Sequence, residues 1–171
     1  MKILRYFEKE KFIFLNKEFI INTLLLIIVF LFDRVSKIKI IEHQLNNNRV
    51  YVNDFINLDL VWNTGIGFGI FSTTSNLTYN LITILIAIVM IFIVYLIKKS
   101  NFFDKFFFTM ILAGALGNFY DRIVYSAVPD FIDIHYENFH WFTFNIADIS
   151  ISIGIIMIII KEFFFKNDKK L

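Results

Sequence analysis

Two carboxylates in this chain stand where carboxylates are expensive. Asp148 lies in FNIADISISIGIIMIII, a run otherwise apolar enough for a bilayer interior, with Asn145 three residues before it and Ser152 four after. On a helix these three share one face, and an ionisable side chain in such a run is a default candidate for function. A neutral Asn or Ser would staple two helices at lower cost. The second carboxylate, Asp130, follows Pro129 in VPDFID, where the proline holds extended backbone. Strand alternation points Asp130 and Asp133 to opposite faces, so only one of them readily meets a given site.

Three further groupings carry polar side chains. Asn118, Asp121 and Arg122 stand at i, i+3 and i+4. An interfacial capping salt bridge is the plainer reading of those three alone. Gly114 and Gly117, just ahead of them, permit close approach of another helix. Asp33 and Lys37 form an i, i+4 pair with Ser36 nearby, ordinary as a structural ion pair. In WNTGIGFGIF, Asn63 precedes Gly65, Gly67 and Gly69; such glycines let backbone approach a ligand and equally mark a turn. Other chemistries find no footing. His135 and His140, with Glu137 between them, lack the helical spacing and third ligand of a metal site. Ser36 and Lys37 are adjacent on a helix, about 100° apart, and cannot pair as nucleophile and base. There is no phosphate loop, no nucleophile elbow and no basic stripe for nucleic acid.

The elements that position these residues belong in a membrane. The chain has 171 residues, 57% of them hydrophobic, with one proline and no cysteine, and a mean hydropathy of +0.65. A soluble domain of this length is far less apolar. Zero cysteine excludes disulfides, thiol nucleophiles and cysteine-ligated metals. Spans of about 20 apolar residues are expected near residues 19–41, 77–97, 102–122 and 142–165. The far end of the first, with Asp33, Arg34, Lys37 and Lys39, must lie at an interface or against protein. Counted from residue 142, Asp148 would sit roughly 9 Å inside the outer boundary.

Orientation follows from lysine and arginine. They concentrate in the N-terminal tail (Lys2, Arg5, Lys9, Lys11, Lys17), the loop between spans two and three (Lys98, Lys99, Lys105) and the C-terminal tail (Lys161, Lys166, Lys169, Lys170). Those segments are expected in the cytoplasm. The first apolar run lacks a small-residue cleavage site and is read as retained. The two outer connections are strand-like: RVYVNDFINLDLVWN alternates as a short hairpin, and the segment around 131–135 reads as extended. The fold class is therefore an all-α membrane protein. It is a four-transmembrane-helix bundle with a small extracytoplasmic β-rich region and cytoplasmic termini, forming one integral membrane domain over 1–171.

Taken together, DRVSK (33–37), WNTGIGFGIF (62–71), GALGNFYDR (114–122), VPDFIDI (128–134) and FNIADISI (144–151) resemble the lipoprotein signal peptidase family, also called signal peptidase II. Order and spacing match over nearly the whole chain outside the two tails. The resemblance implies that Asp130 and Asp148 are a catalytic pair, with Asn63, Asn118, Asp121, Arg122 and Asn145 lining the site. Asp33, Lys37 and Gly65 join them as supporting residues. Pro129 stands where the family often has Val, and Ile66-Gly67 where it often has Ala-Ala, departures that bear on pocket shape and substrate preference.

The function so implied is an aspartic endopeptidase of the bacterial cytoplasmic (inner) membrane, multi-pass, with its site near the extracytoplasmic face. It would remove signal peptides from diacylglyceryl-modified prolipoproteins, cutting N-terminal to the lipidated Cys. Its partners are then those substrates and membrane lipids, with no nucleic acid; it would act as a monomer and need no metal or organic cofactor. Two carboxylates in a poorly solvated site share a proton, so one activates a water while the other supports the developing oxyanion and the leaving amine. The competing readings are a proton-coupled transporter using Asp148, Asp121 and Arg122 as a relay, and a structural subunit with polar staples. Four spans without inverted repeats suit transport poorly.

Overall fold

The computed structural model describes residues 17–65 and 75–165. Gly67, Gly69, Ile66 and most of the terminal lysines lie outside the described residues. Among the described residues, four helices and four strands follow the order α1 (Lys17–Gln44), β1 (Val50–Asn53), β2 (Ile56–Asn63), α2 (Asn76–Lys99), α3 (Phe102–Tyr125), β3 (Val128–Tyr136), β4 (Phe139–Phe144) and α4 (Ile146–Phe165). At ~1.5 Å per residue the helices run roughly 30 to 42 Å. Three of them, α1, α2 and α3, are long and apolar enough to cross a membrane. The fourth, α4, carries Asp148 near one end and Lys161 and Glu162 near the other.

α3 is the central helix, packing against α1, α2 and α4. Two of its glycines clear the way for these neighbours, Gly114 for α4 and Gly117 for Asp33 of α1. A Cβ on Gly114 would run into the carbonyl oxygen of Ala147, and one on Gly117 would lie 2.5 Å from an Asp33 carboxylate oxygen. The large apolar side chains of α1, α2 and α4 point mostly outward, Ile28, Leu31, Ile91 and Ile156 among them. This is the surface a lipid environment requires, with the polar residues inside. At one end of the bundle Lys105 pairs with Glu18 at 3.0 Å, and Lys161 pairs with Asp104.

At the opposite end the chain forms an antiparallel sheet in the order β1-β2-β3-β4. The expected hairpin is β1–β2, turned by Asn53, whose side-chain oxygen accepts from the backbone N–H of Phe55 and of Ile56, both at 2.9 Å. β3 covers the expected strand around 131–135. The β3–β4 turn is tight, with Glu137 at φ 53°, a positive value such two-residue turns require. β4 was not expected. Residues 142–144 belong to this strand, and α4 starts at Ile146. The aromatic run FHWFTF is as fit for a strand as for a span, and with His140 and Thr143 three apart its alternation is broken, so the pattern does not separate the two.

Candidate active site

The late start of α4 changes the setting of Asp148. Asn145 is the residue before the helix; its Oδ1 accepts from the backbone N–H of Asp148 at 3.0 Å, and Asp148 Oδ2 accepts from the backbone N–H of Asn145 at 3.2 Å. This reciprocal pair is a capping box, which satisfies two N–H groups that a helix start leaves open. Asp148 thus stands in the first turn of the helix rather than deep in a span. A third N–H, that of Ala147, donates to Asp33 Oδ1 at 3.0 Å.

From the same position Asn145 reaches the other carboxylate. Its Nδ2 donates to Asp130 Oδ1 at 2.5 Å, and Asn63 Nδ2 donates to Asp130 Oδ2 at 2.8 Å. Asn118 Nδ2 donates to Asp148 Oδ1 at 2.8 Å. Each of the four carboxyl oxygens therefore has one N–H donor, and Asn145 touches both residues.

The three asparagines cannot easily turn over, because each is held through its own oxygen. Asn63 Oδ1 accepts from the N–H of Gly65 at 2.8 Å, Asn145 Oδ1 from Asp148, and Asn118 Oδ1 from Lys37 Nζ at 2.9 Å. Their NH2 groups are thereby committed to the carboxylates.

Behind this layer lies a charge network. Lys37, fully buried, donates to Asp33 at 2.8 Å, Asn118 at 2.9 Å and Asp121 at 2.7 Å, using all three of its protons. Asp121 also pairs with Arg34, whose guanidinium lies 4.9 Å from the centre of the Tyr120 ring. Arg122 donates to the carbonyls of Gly65 at 2.6 Å and Asn118 at 3.2 Å. The DRVSK and GNFYDR motifs are thus one unit, not an interfacial cap and a local helix pair. Removing one partner of such a buried network strands the opposite charge and strongly destabilises the fold.

All ten candidate residues fall in this assembly: Asp130 and Asp148, with Asn63, Gly65, Asn118, Asp121, Arg122, Asn145, Asp33 and Lys37. Asp133 does not. It points away from Asp130 and bonds His140 Nδ1 at 2.7 Å, and the His140 ring lies 5.3 Å from that of His135. Sequence reasoning passed over Arg34, Tyr79, whose hydroxyl donates to the carbonyl of Arg122 at 3.1 Å, and Gln44. Arg34 lies inside DRVSK and reads in the sequence as a charge at the end of the first span, but not as a site residue; nothing local marks Tyr79, since its partner is 43 residues away.

Burial pushes the Asp130 carboxyl up from 3.8 to about 7, the nearby Asp148 adding to the rise and the bonds from Asn63 and Asn145 opposing it. It exchanges a proton near neutrality, as an acid–base group should. A cleft of about 410 Å³ between α2, α3 and α4 is walled by Leu85, Val89, Ile93 and Ile155 and reaches Asn118, Arg122 and Asp148. Arg122 Nε is buried with no partner among the described residues. A smaller cavity of about 210 Å³, bounded by Ile134, Phe142 and Phe144, meets Asp148 from the sheet side.

Comparison with known proteins gives one consistent result. The family model described as Signal peptidase (SPase) II matches residues 25–164. The lipoprotein signal peptidase of Pelagibacter ubique is 47% identical over 155 residues, covering 90% of this chain and 93% of that one. That of Thermodesulfovibrio yellowstonii is 38% identical over 143 residues, covering 84% and 91%. A solved structure described as a bacterial membrane enzyme, obtained by the in meso method, is 34% identical and superposes with a TM-score of 0.71 over 88% of this chain and 93% of that one.

Proposed function

The chain belongs to the signal peptidase II family, and we propose that it removes the signal peptides of prolipoproteins by water attack activated at Asp130 and Asp148. The observation that carries this reading is the arrangement at Asn145, which joins both carboxylates while each of their four oxygens accepts one N–H.

Since each carboxyl oxygen already accepts an amide proton, a proton added to the pair has to point away from the asparagines, into the space where a water or a peptide bond would sit. One carboxylate takes a proton from the attacking water. The other, protonated, supports the oxygen of the tetrahedral intermediate and then protonates the leaving amine. The two exchange roles over a turnover, and the pair titrates as a unit. Arg122, whose side chain borders the cleft, supplies positive charge beside a bound substrate carbonyl in this reading.

The substrate we propose is a prolipoprotein whose cleavage-site Cys already carries diacylglycerol. The apolar cleft suits the helical signal peptide, and its polar end lies beside Asp148. The protein in this reading is one integral domain with four spans, α4 included, in the bacterial inner membrane. The lysine-bearing end, with Lys98, Lys99, Lys105 and Lys161, then faces the cytoplasm and the sheet faces outward. In this reading it works as a monomer, which the completeness of the site within one chain supports. Cleavage of a synthetic diacylglyceryl precursor by the purified protein tests the function; we expect cutting just before the lipidated Cys and no cutting of the unlipidated peptide. Equal cleavage of both would remove lipid recognition from the proposal.

A further inference from the structure

Asn63 reaches Asp130 only because β2 is irregular. The β2–β3 ladder pairs Leu58 with Ile132 and then Val61 with Asp130, so Asp59 and Leu60 together oppose Phe131. This is a β-bulge, with two residues on one strand facing one on the other. Residues directly opposite in an antiparallel pair share a face, and a one-residue slip turns every later side chain over. With the bulge, Asn63 pairs with Val128 and faces the same side as Asp130. In the unbulged register it would face the side opposite Asp130.

The bulge is gripped by a single side chain from another element. Gln44 Oε1 accepts from the backbone N–H of Leu60 at 2.6 Å, and its Nε2 donates to Asp59 Oδ1 at 3.2 Å and to the carbonyl of Leu58 at 3.5 Å. Gln44 is the last residue of α1, on the face that carries the buried Asp33, Lys37 and Ile40 at helical spacing. One face of α1 thus holds the start of α4 through Asp33, α3 through Lys37 and the sheet through Gln44.

The geometry points to Gln44 as a positioning residue for the reaction: by holding the β2 bulge it fixes the register that turns Asn63 onto Asp130. The inference rests on Asp130 being a catalytic carboxylate. Gln44 touches neither carboxylate nor the cleft, so it acts through Asn63. The groups facing Asp130 from its surroundings are Asp148 on α4, Lys37 on α1 and Arg122 on α3, and none of them contacts Gln44.

The test compares Gln44→Ala, Asn63→Ala and the double variant of the full chain, with cleavage of a diacylated precursor followed across pH. Gln44→Ala is expected to lower kcat about tenfold, the scale of one lost hydrogen bond to a charged group, with KM little changed. The Asn63 bond favours the anion of Asp130, so its loss moves the alkaline limb of the profile upward. Both single variants should show this, and the double should be no worse than Asn63→Ala alone.

A charge swap guards against mere misfolding. Gln44→Glu alone sets a carboxylate against Asp59, whereas Gln44→Glu with Asp59→Asn restores an acceptor for Leu60 and a donor for residue 44. The pair should recover kcat and the hydrogen-exchange protection of the Leu60 amide. Multiplying effects in the double variant, an unmoved pH limb in Gln44→Ala, or no recovery in the swap overturns the inference. Asp130→Asn run alongside separates the two levels: full cleavage by that variant sinks the dyad reading itself, whatever Gln44 does.

Discussion

Asp130→Asn should make the protein inactive and, above neutral pH, more stable. The Asp130 carboxyl titrates near 3.8 when unfolded and at about 7 in the fold, and it is 2% exposed, so solvent does little to screen it. Between those two values the folded state keeps a proton that the unfolded state has released. Stability therefore falls as pH rises through this window. About 3 units at 1.36 kcal/mol each gives roughly 4 kcal/mol lost between pH 4 and pH 8. Asparagine cannot ionise, so the variant escapes that loss. It has a cost of its own: its NH2 meets the NH2 of Asn63 or Asn145, and one hydrogen bond goes, at about 1–3 kcal/mol. The net gain at pH 8 is then on the order of 1–3 kcal/mol, turning to a net loss at pH 4. Denaturant titrations of both proteins in detergent from pH 4 to 8 measure this; groups remote from Asp130 cancel in the difference, while Asp148, coupled to it, makes the measured shift that of the pair. Parallel stability curves across the window, or a variant that is relatively weakest at pH 8, would refute the reasoning.

Other perturbations read different parts of the site. Asn145→Ala removes the cap of α4 and the bridge between the carboxylates; about 1 kcal/mol of stability should go, and turnover should slow by about a hundredfold or more, the scale of a lost transition-state contact. Lys37→Met leaves Asp33 and Asp121 buried without their shared cation and should cost about 3–5 kcal/mol, seen as a lowered Tm or as loss of folded protein from membranes. Gly117→Ala pushes a methyl group to 2.5 Å from the Asp33 carboxylate, which Lys37 and Ala147 hold in place; a loss of about 1–3 kcal/mol with slower turnover should follow. Asp133→Asn should leave the rate of cleavage unchanged, since Asp133 bonds His140 on the far side of its strand.

Much of this site was legible in the sequence because membranes make polar residues conspicuous. Asp148 and Asn145 stood out against an apolar run, whereas Asn118 and Lys37 read alone as structural and became site residues only when the motifs were taken together; all four lie in the assembled site. The ends of the elements were less legible. Residues 142–144 were expected in a helix because Phe and Trp suit lipid and strands alike, so the capping box formed by Asn145 and Asp148 was hidden inside a longer expected span. The Asp33–Lys37 pair looked local; its joining of α1 to α3 depends on Asn118 and Asp121, more than 80 residues away. The β2 bulge coincides with a break in the alternation of 56–63, where Leu60, Val61 and Trp62 follow one another, but its partner Gln44 lies on another element and could not be read locally. Membership of the signal peptidase II family leaves the transporter alternative without support.

The central claim is that Asp130 and Asp148 together activate the attacking water. Its most direct test is the single-turnover rate on a diacylglyceryl precursor for the purified protein and for Asp130→Asn and Asp148→Asn, each first shown to be folded. Both variants should slow by about a thousandfold or more, and the double variant should slow little further, because the two groups act as one unit. Cleavage near the original rate in either single variant would contradict the account.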